Sequence, residues 1–319
     1  MYKIALAFAA ALAAAPAWAQ NYPVRAIRMI VPFAAGGSAD LVARITAQGM
    51  SEQLGQQVVV ENRGGSGGVI GSEAVLAAAP DGYTIAFHSM SSAVLNAGLY
   101  RNLPFDLRRS FTPVALIGSV PNIIVVNNRV PAQTLQELIA LLRREPGRHS
   151  YASSGAGTIV HLSAHLLAQM AGVRMMHVPY RGSGPAMADV IAGNVDMIVD
   201  TLPSTIPLIR GGQVRALAVT TRTRSAAMPD VPTAEEAGLP GYETYNWHAV
   251  FVAAAVPRTV VARLEGAAVA AVANPAVRQR LVENGVDPRG EGAAALEAFW
   301  DQQLALWVPL TQASGATAE

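Results

Sequence analysis

Two stretches of this sequence have the residue types to gather a negative charge. In Pro32-Phe-Ala-Ala-Gly-Gly-Ser-Ala-Asp40, an apolar run gives way to paired glycines just before a helical pattern begins. A tight turn there leaves backbone N–H groups exposed at a helix N-terminus, where the dipole also favours an anion. Tyr151-Ala-Ser-Ser-Gly-Ala-Gly-Thr158 repeats the device in the other half of the chain. One such turn is ordinary in an α/β protein, whereas two at equivalent points of two strand–turn–helix sets point to a cleft for an anion. Neither ends in the Lys-Ser/Thr of a nucleotide P-loop or completes G-x-G-x-x-G, which disfavours a nucleotide.

Other groupings compete for attention. Gly64-Gly-Ser66-Gly-Gly68 matches the G-x-S-x-G nucleophile elbow, and Asp200 and His248 follow in the order a serine hydrolase would use. A glycine-serine turn meets that pattern easily, and no HGGG-type oxyanion segment accompanies it. His161 and His165 stand at i, i+4. That spacing could hold a metal, but the H-E-x-x-H pattern is missing, so two solvated surface histidines are expected and no metal site. Among Asp189, Asp196 and Asp200, the first two fall near an expected helix start and a turn. Only Asp200, at a strand's carboxyl end, is a functional candidate. Phe33, Tyr180 and Trp247 are candidate cleft aromatics.

These residues need elements to place them. Residues 28–33, 57–61 and 83–88 read as β-branched strands; 38–53 and a segment ending at 79 read as helices, with Ser38 as N-cap and Gly55 as a stop. Strands near 113–117 and 123–126 precede a helix over 134–144. The pattern then restarts: a strand at 149–152, a helix capped by Thr158, a strand at 175–179, and a helix opening at Gly184-Pro185. The Thr158-capped helix carries an apolar stripe of Ile159, Leu162, Leu166, Leu167 and Met170. Strands at 197–199, 214–219 and 250–254 follow, then helices near 260–273, 276–284 and 293–306. Strands alternating with helices imply parallel sheets wound on both faces, whose ligands bind beyond the carboxyl ends of the strands.

The N-terminus carries Lys3, an apolar run from Ile4 to Ala15, and Ala17-Trp-Ala19, which together predict a secretory signal peptide over 1–19 and export to the periplasm. The remaining 300 residues suffice for two domains. Of the chain's 23 basic residues only Lys3 is lysine, so 22 arginines balance 22 acids after cleavage. A nucleic-acid binder would show a basic surplus, and none is present. With no cysteine, disulfides and thiolate metal sites are excluded, and the 51% apolar content must supply the stability.

A longer series carries a resemblance: Tyr22-Pro23, Ile30 through Asp40, Val60 through Gly68, Asp81-Gly-Tyr-Thr84 and Tyr151 through Thr158. It continues through Val178-Pro-Tyr-Arg-Gly182, Gly193-Asn-Val-Asp196, Arg215 through Val219 and Val231-Pro-Thr-Ala-Glu235. In this order the chain resembles the solute receptors of tripartite tricarboxylate transporters, the Bug family, over essentially its whole mature length. The resemblance implies a two-lobe α/β periplasmic binding fold of the type II, Venus-flytrap kind, with parallel-rich sheets flanked by helices and a helical C-terminal tail. The lobes expected are 20–121 with 246–319, and 122–245. It also implies no cofactor, no enzymatic activity and a small carboxylate ligand: a di- or tricarboxylate, an amino acid or an aromatic acid. Membrane transporter subunits are the implied partners of a monomer; a membrane sensor kinase as recipient, or a hydrolase using Ser66, stays open. The family's turn positions fall here on Phe33, Ala35, Gly36, Gly37 and Asp40, and on Ser154, Gly155, Gly157, Thr158 and Asp200. His88-Ser89-Met90 and Asn246-Trp247-His248 are expected at the cleft edge, with Ser89 and Tyr180 added as ligand-binding candidates.

Overall fold

The computed structural model describes residues 22–313; the signal-peptide expectation lies outside the described residues. The first half opens with β1 (Ile27–Val31), α1 (Ser38–Leu54), β2 (Val58–Asn62), α2 (Val69–Leu76) and β3 (Thr84–Ser89). A π-helical turn (Ser91–Leu95) and two short helices, α3 (Asn96–Leu99) and α4 (Leu107–Ser110), lead into β4 (Phe111–Asn127). Next come α5 (Leu135–Arg144), β5 (Ser150–Ser153), α6 (Ile159–Ala171), β6 (Met176–Pro179), α7 (Ser183–Ala192), β7 (Met197–Thr201), α8 (Leu202–Arg210) and β8 (Val214–Val219). The chain returns through β9 (Tyr245–Ala253), α9 (Arg258–Ala273), α10 (Pro275–Glu283), β10 (Asp287–Gly292) and α11 (Ala293–Ala313). Among the described residues no single helix is long and apolar enough to cross a membrane.

The strands form one curled sheet in the order β2-β1-β3-β9-β4-β7-β5-β6, with β8 and β10 also paired to β4. The outer strands on each side are parallel: β2-β1-β3 at one end and β7-β5-β6 at the other. At the centre, β9, β10, β7 and β8 all run antiparallel to β4. The two short strands expected at 113–117 and 123–126 are therefore one 17-residue strand. Its first part pairs with β9 as far as Pro121↔Tyr245, and from Asn122 onward its partners are β7 and β8. Pro113 and Pro121 imitate strand ends in the sequence. Each sits at an edge or irregularity where the missing N–H costs little, and the β9 register does shift just after Pro113. Likewise β10, with its Pro and two Gly residues, has no strand signature and forms only because β4 offers a free edge.

Two adjacent crossings connect the halves, one through Asn122 and one through Thr220–Thr244. Asn122 is fully buried and donates to Ser163 Oγ and Thr244 Oγ1, both at 3.0 Å. Its carbonyl accepts from the Thr220 N–H and hydroxyl, and Thr220 O accepts from Thr244 N. Asn122→Ala is expected to cost about 1–3 kcal/mol, because it strands two buried hydroxyls; a lowered urea midpoint at unchanged slope would show it. Three apolar clusters follow the sheet. One lies under α1 and α9 and another against α5 and α6, while the middle one joins Leu116, Trp247 and Trp300 to Ile123, Ile198 and Leu202.

Candidate functional site

The first glycine turn links β1 to α1. Gly37, not Ser38, is the N-cap, and no side chain caps the helix. Ser38 instead lies in the first turn with its Oγ 2.9 Å from His248 Nε2 on β9. Asp40 braces the turn from within: its carboxylate accepts the Gly36 N–H at 3.1 Å and pairs with Arg44 at 2.8 Å. That leaves the first-turn amides from Ser38 onward, which helix geometry gives no internal acceptor, at the cleft side of the turn.

The second turn links β5 to α6. Thr158 is the N-cap, as expected, and accepts from His161 N. Here the glycine amides are spoken for: Gly155 N–H goes to Ser153 Oγ at 3.2 Å and Gly157 N–H to His161 Nδ1 at 3.0 Å. Gly155 and Gly157 therefore shape the turn through their positive φ (139° and 73°) rather than through free donors.

The two turns meet. Phe33, Gly37, Ser38 and Ser89 from the first half face Ser154, Ser183 and Asp200 from the second around an inner cavity of about 30 Å³. An outer cavity of about 270 Å³ adjoins it through Phe33 and Ser154, bordered by Ser66, Tyr100, Tyr180 and Arg181. Beside the cavity the two glycine-containing segments approach closely. A Cβ on Gly184 would lie 2.4 Å from Ala35 O, and one on Gly37 would lie 3.4 Å from Ser183 Cβ.

Asp200 sits at the carboxyl end of β7, fully buried. Its oxygens accept from Ser183 Oγ (2.9 Å), Thr201 N (2.7 Å) and Ser204 Oγ (2.9 Å). Burial raises its pKa, and these hydrogen bonds only partly oppose the rise. The cavity is thus lined by hydroxyls, amides and one carboxyl with no cation beside it. A ligand carboxylate would be met by neutral donors.

Several expectations change on this geometry. Trp247 is no cleft aromatic: it is fully buried against Phe299. His88 and Met90 are core residues, so of the two edge segments only Ser89, Asn246 and His248 line the inner cavity. Tyr180 lines the outer cavity, its hydroxyl 2.5 Å from Asp189. Asp189 lies in the second half of α7, not near a helix start. His161 is buried rather than solvated, because the first turn of α6 is covered by the other half: Ser91 Oγ accepts Ile159 N–H and Leu99 lies on Gly157. Met170, placed on the apolar stripe, is 39% exposed. No group of three or more metal-ligating side chains is found among the described residues.

The hydrolase constellation is not brought together. Ser66 borders the outer cavity, while Asp200 and His248 line the inner one and bond to other hydroxyls. The φ of 47° at Ser66 belongs to a glycine-rich turn whose carbonyl accepts the Tyr100 hydroxyl at 2.7 Å. Sequence reasoning missed Ser91, Ser183 and Ser204. The signal that could have found them is a hydroxyl one to four residues beyond the carboxyl end of a strand or beside a glycine turn.

Comparison with known proteins agrees with this architecture. Residues 42–316 match the family described as "Tripartite tricarboxylate transporter family receptor". Protein BugT of Bordetella pertussis is 35% identical over 315 residues, covering 98% of this chain and 96% of BugT. Rpa4515 of R. palustris, solved with adipate, superposes with a TM-score of 0.89 at 34% identity, covering 93% of this chain and 99% of that one. MatC of Rhodopseudomonas palustris, solved with bound malate, gives 0.85 at 31% identity, covering 91% and 100%. The fold and family are those of periplasmic solute receptors. Two glycine turns facing each other across a curled sheet, and a match extending over nearly the whole chain, lead to one conclusion: the chain belongs to the tripartite tricarboxylate transporter receptor family, together with the Bug proteins.

Proposed function

We propose that this chain is an exported periplasmic receptor that captures a small carboxylate between two lobes and passes it to the membrane subunits of a tripartite transporter. The lobes are 20–121 with 246–319, and 122–245, and they hinge where β4 and the segment before β9 cross between them. One observation carries the reading: an uncapped helix N-terminus from one half, at Gly37–Ser38, opposes Ser154 and Asp200 of the other across a cavity with neutral donors. An anion there gains contacts from both lobes at once, so binding shifts the population toward the state in which the lobes touch. Phe33, Ala35, Gly36, Gly37 and Asp40 build the first wall. Ser89, Ser154, Gly155, Gly157, Thr158, Tyr180 and Asp200 complete the proposed site. Malate and adipate, held by two relatives, suggest a ligand of four to six carbons with two carboxylates. The hydroxyl wall suits such a molecule better than an aromatic acid does. No covalent step is required, and the chain works as a monomer.

A thermal-shift panel of di- and tricarboxylates, amino acids and aromatic acids tests this. A matching dicarboxylate at about 100 times its Kd should add about 2.7 kcal/mol and raise the midpoint by several degrees. If no carboxylate shifts the midpoint, the proposal fails.

A further inference from the structure

The glycine turn before α6 is held from behind by two histidines that contact no part of the cavity. His161 Nδ1 accepts the Gly157 N–H at 3.0 Å. His177 Nε2 lies 2.6 Å from Ser153 Oγ, and that same oxygen accepts the Gly155 N–H at 3.2 Å. The two rings stack with centroids 4.0 Å apart and planes 14° from parallel, and Tyr151 stacks on both of them. An Nδ1 that accepts an amide proton carries none itself, so neutral His161 bears its proton on Nε2. The turn therefore alternates. The amide of Gly157 ends on His161 and that of Gly155 on Ser153 Oγ, beside His177, while the Ser154 and Ala156 positions border the cavities.

We propose that His161 and His177 are positioning residues of the ligand cleft: His161 takes up the amide of Gly157 directly, and His177 fixes the Ser153 hydroxyl that accepts the amide of Gly155, so that the turn is held with Ser154 toward the cavity. The inference rests on the carboxylate-cleft reading above. Protonation of His161 would put a second N–H against the Gly157 N–H and release the turn. The titratable groups facing His161 are His177 on β6, His165 one turn along α6, and Tyr151 on β5. Burial, then the neighbouring His177 and His165, hold the His161 pKa down to about 3; burial and His165 hold His177 down to about 4. Both rings accordingly remain neutral from pH 6.5 to 8, and carboxylate affinity should be flat over that range.

Calorimetric titration of the mature chain with malate and adipate, in wild type, His161→Phe and His161→Asn, decides the matter. Phenylalanine keeps a ring in the stack and removes the acceptor, whereas asparagine places Oδ1 near the position of Nδ1. His161→Phe should weaken binding about tenfold, the worth of one buried hydrogen bond, and His161→Asn should stay within about threefold of wild type. The ¹⁵N signals of His161 should report the Nε2–H tautomer from pH 6.5 to 8. Wild-type binding with His161→Phe equally tight overturns the inference alone. So does His161→Asn as weak as His161→Phe, or an Nδ1–H tautomer. Wild type that binds neither anion removes the cleft reading and this inference with it.

Discussion

Gly184→Ala should leave the protein folded and deprive it of its high-affinity state. The Cβ this substitution adds would lie 2.4 Å from Ala35 O, and the next contacts are Ala35 C at 3.6 Å and Gly36 Cα at 3.7 Å. All three belong to the β1–α1 turn of the opposite lobe, and they are backbone, which cannot rotate away. Within its own lobe, Gly184 is the second residue of α7, where alanine is a better helix former. On the proposed hinge between the lobes, the clash is thus confined to the state in which they touch. Overpacking of this kind costs about 1–3 kcal/mol, and on a two-state equilibrium that translates to a loss of about 5- to 150-fold in apparent affinity. Calorimetry should show the weakening, and small-angle scattering should show a larger radius of gyration at saturating dicarboxylate than wild type has. A variant that binds as tightly as wild type and scatters alike would remove the interlobe contact from the mechanism.

That contact also marks where sequence reading ends. The turns at Gly36–Gly37 and Gly155–Gly157, the cap at Thr158 and the C-terminal stop at Gly55 were legible because each is local: glycine, serine or threonine does its work within four residues. The family resemblance was legible for the same reason, as a string of such local segments. What escaped is long-range. Nothing near Gly184 says that Ala35 lies against it, since 149 positions separate them. The apolar stripe of α6 correctly buried Leu162 and Leu167 but assigned His161 to solvent, because periodicity describes one packing partner and the first turn of this helix has two. Asp40 and Asp200 illustrate the division within the site itself. Both are acids close to a strand–turn–helix junction in the sequence, yet one braces a turn by accepting the Gly36 N–H and the other is sealed among hydroxyls.

Acid should unfold this protein well before its carboxylates titrate. His88, His161 and His248 are each at most 8% exposed, and burial holds the pKa of each down to about 3. In the unfolded chain the same side chains titrate near 6.5. Between about pH 6.5 and pH 3 the unfolded state therefore binds more protons than the native one, and stability falls as pH falls. Each ring contributes up to about 1.4 kcal/mol per pH unit, so the three together remove about 5 kcal/mol between pH 6.5 and pH 5. That is comparable with the entire stability of many domains, about 5–15 kcal/mol. Asp200 works in the opposite sense. Its raised pKa means the native state takes up a proton first, which adds stability as pH falls, but it is one group against the three buried histidines and the half-buried His177, whose pKa is also held down. The urea midpoint should be level from pH 8 to 7 and should then drop steeply toward pH 5. His88→Phe should reduce the slope by about a quarter to a third, because phenylalanine suits the aromatic cage of Phe111 and Phe251 and carries no titrating nitrogen. A midpoint unchanged at pH 5 would mean that these rings are not held neutral. The acceptor role of His161 in the ligand turn would then lose its basis along with the acid lability.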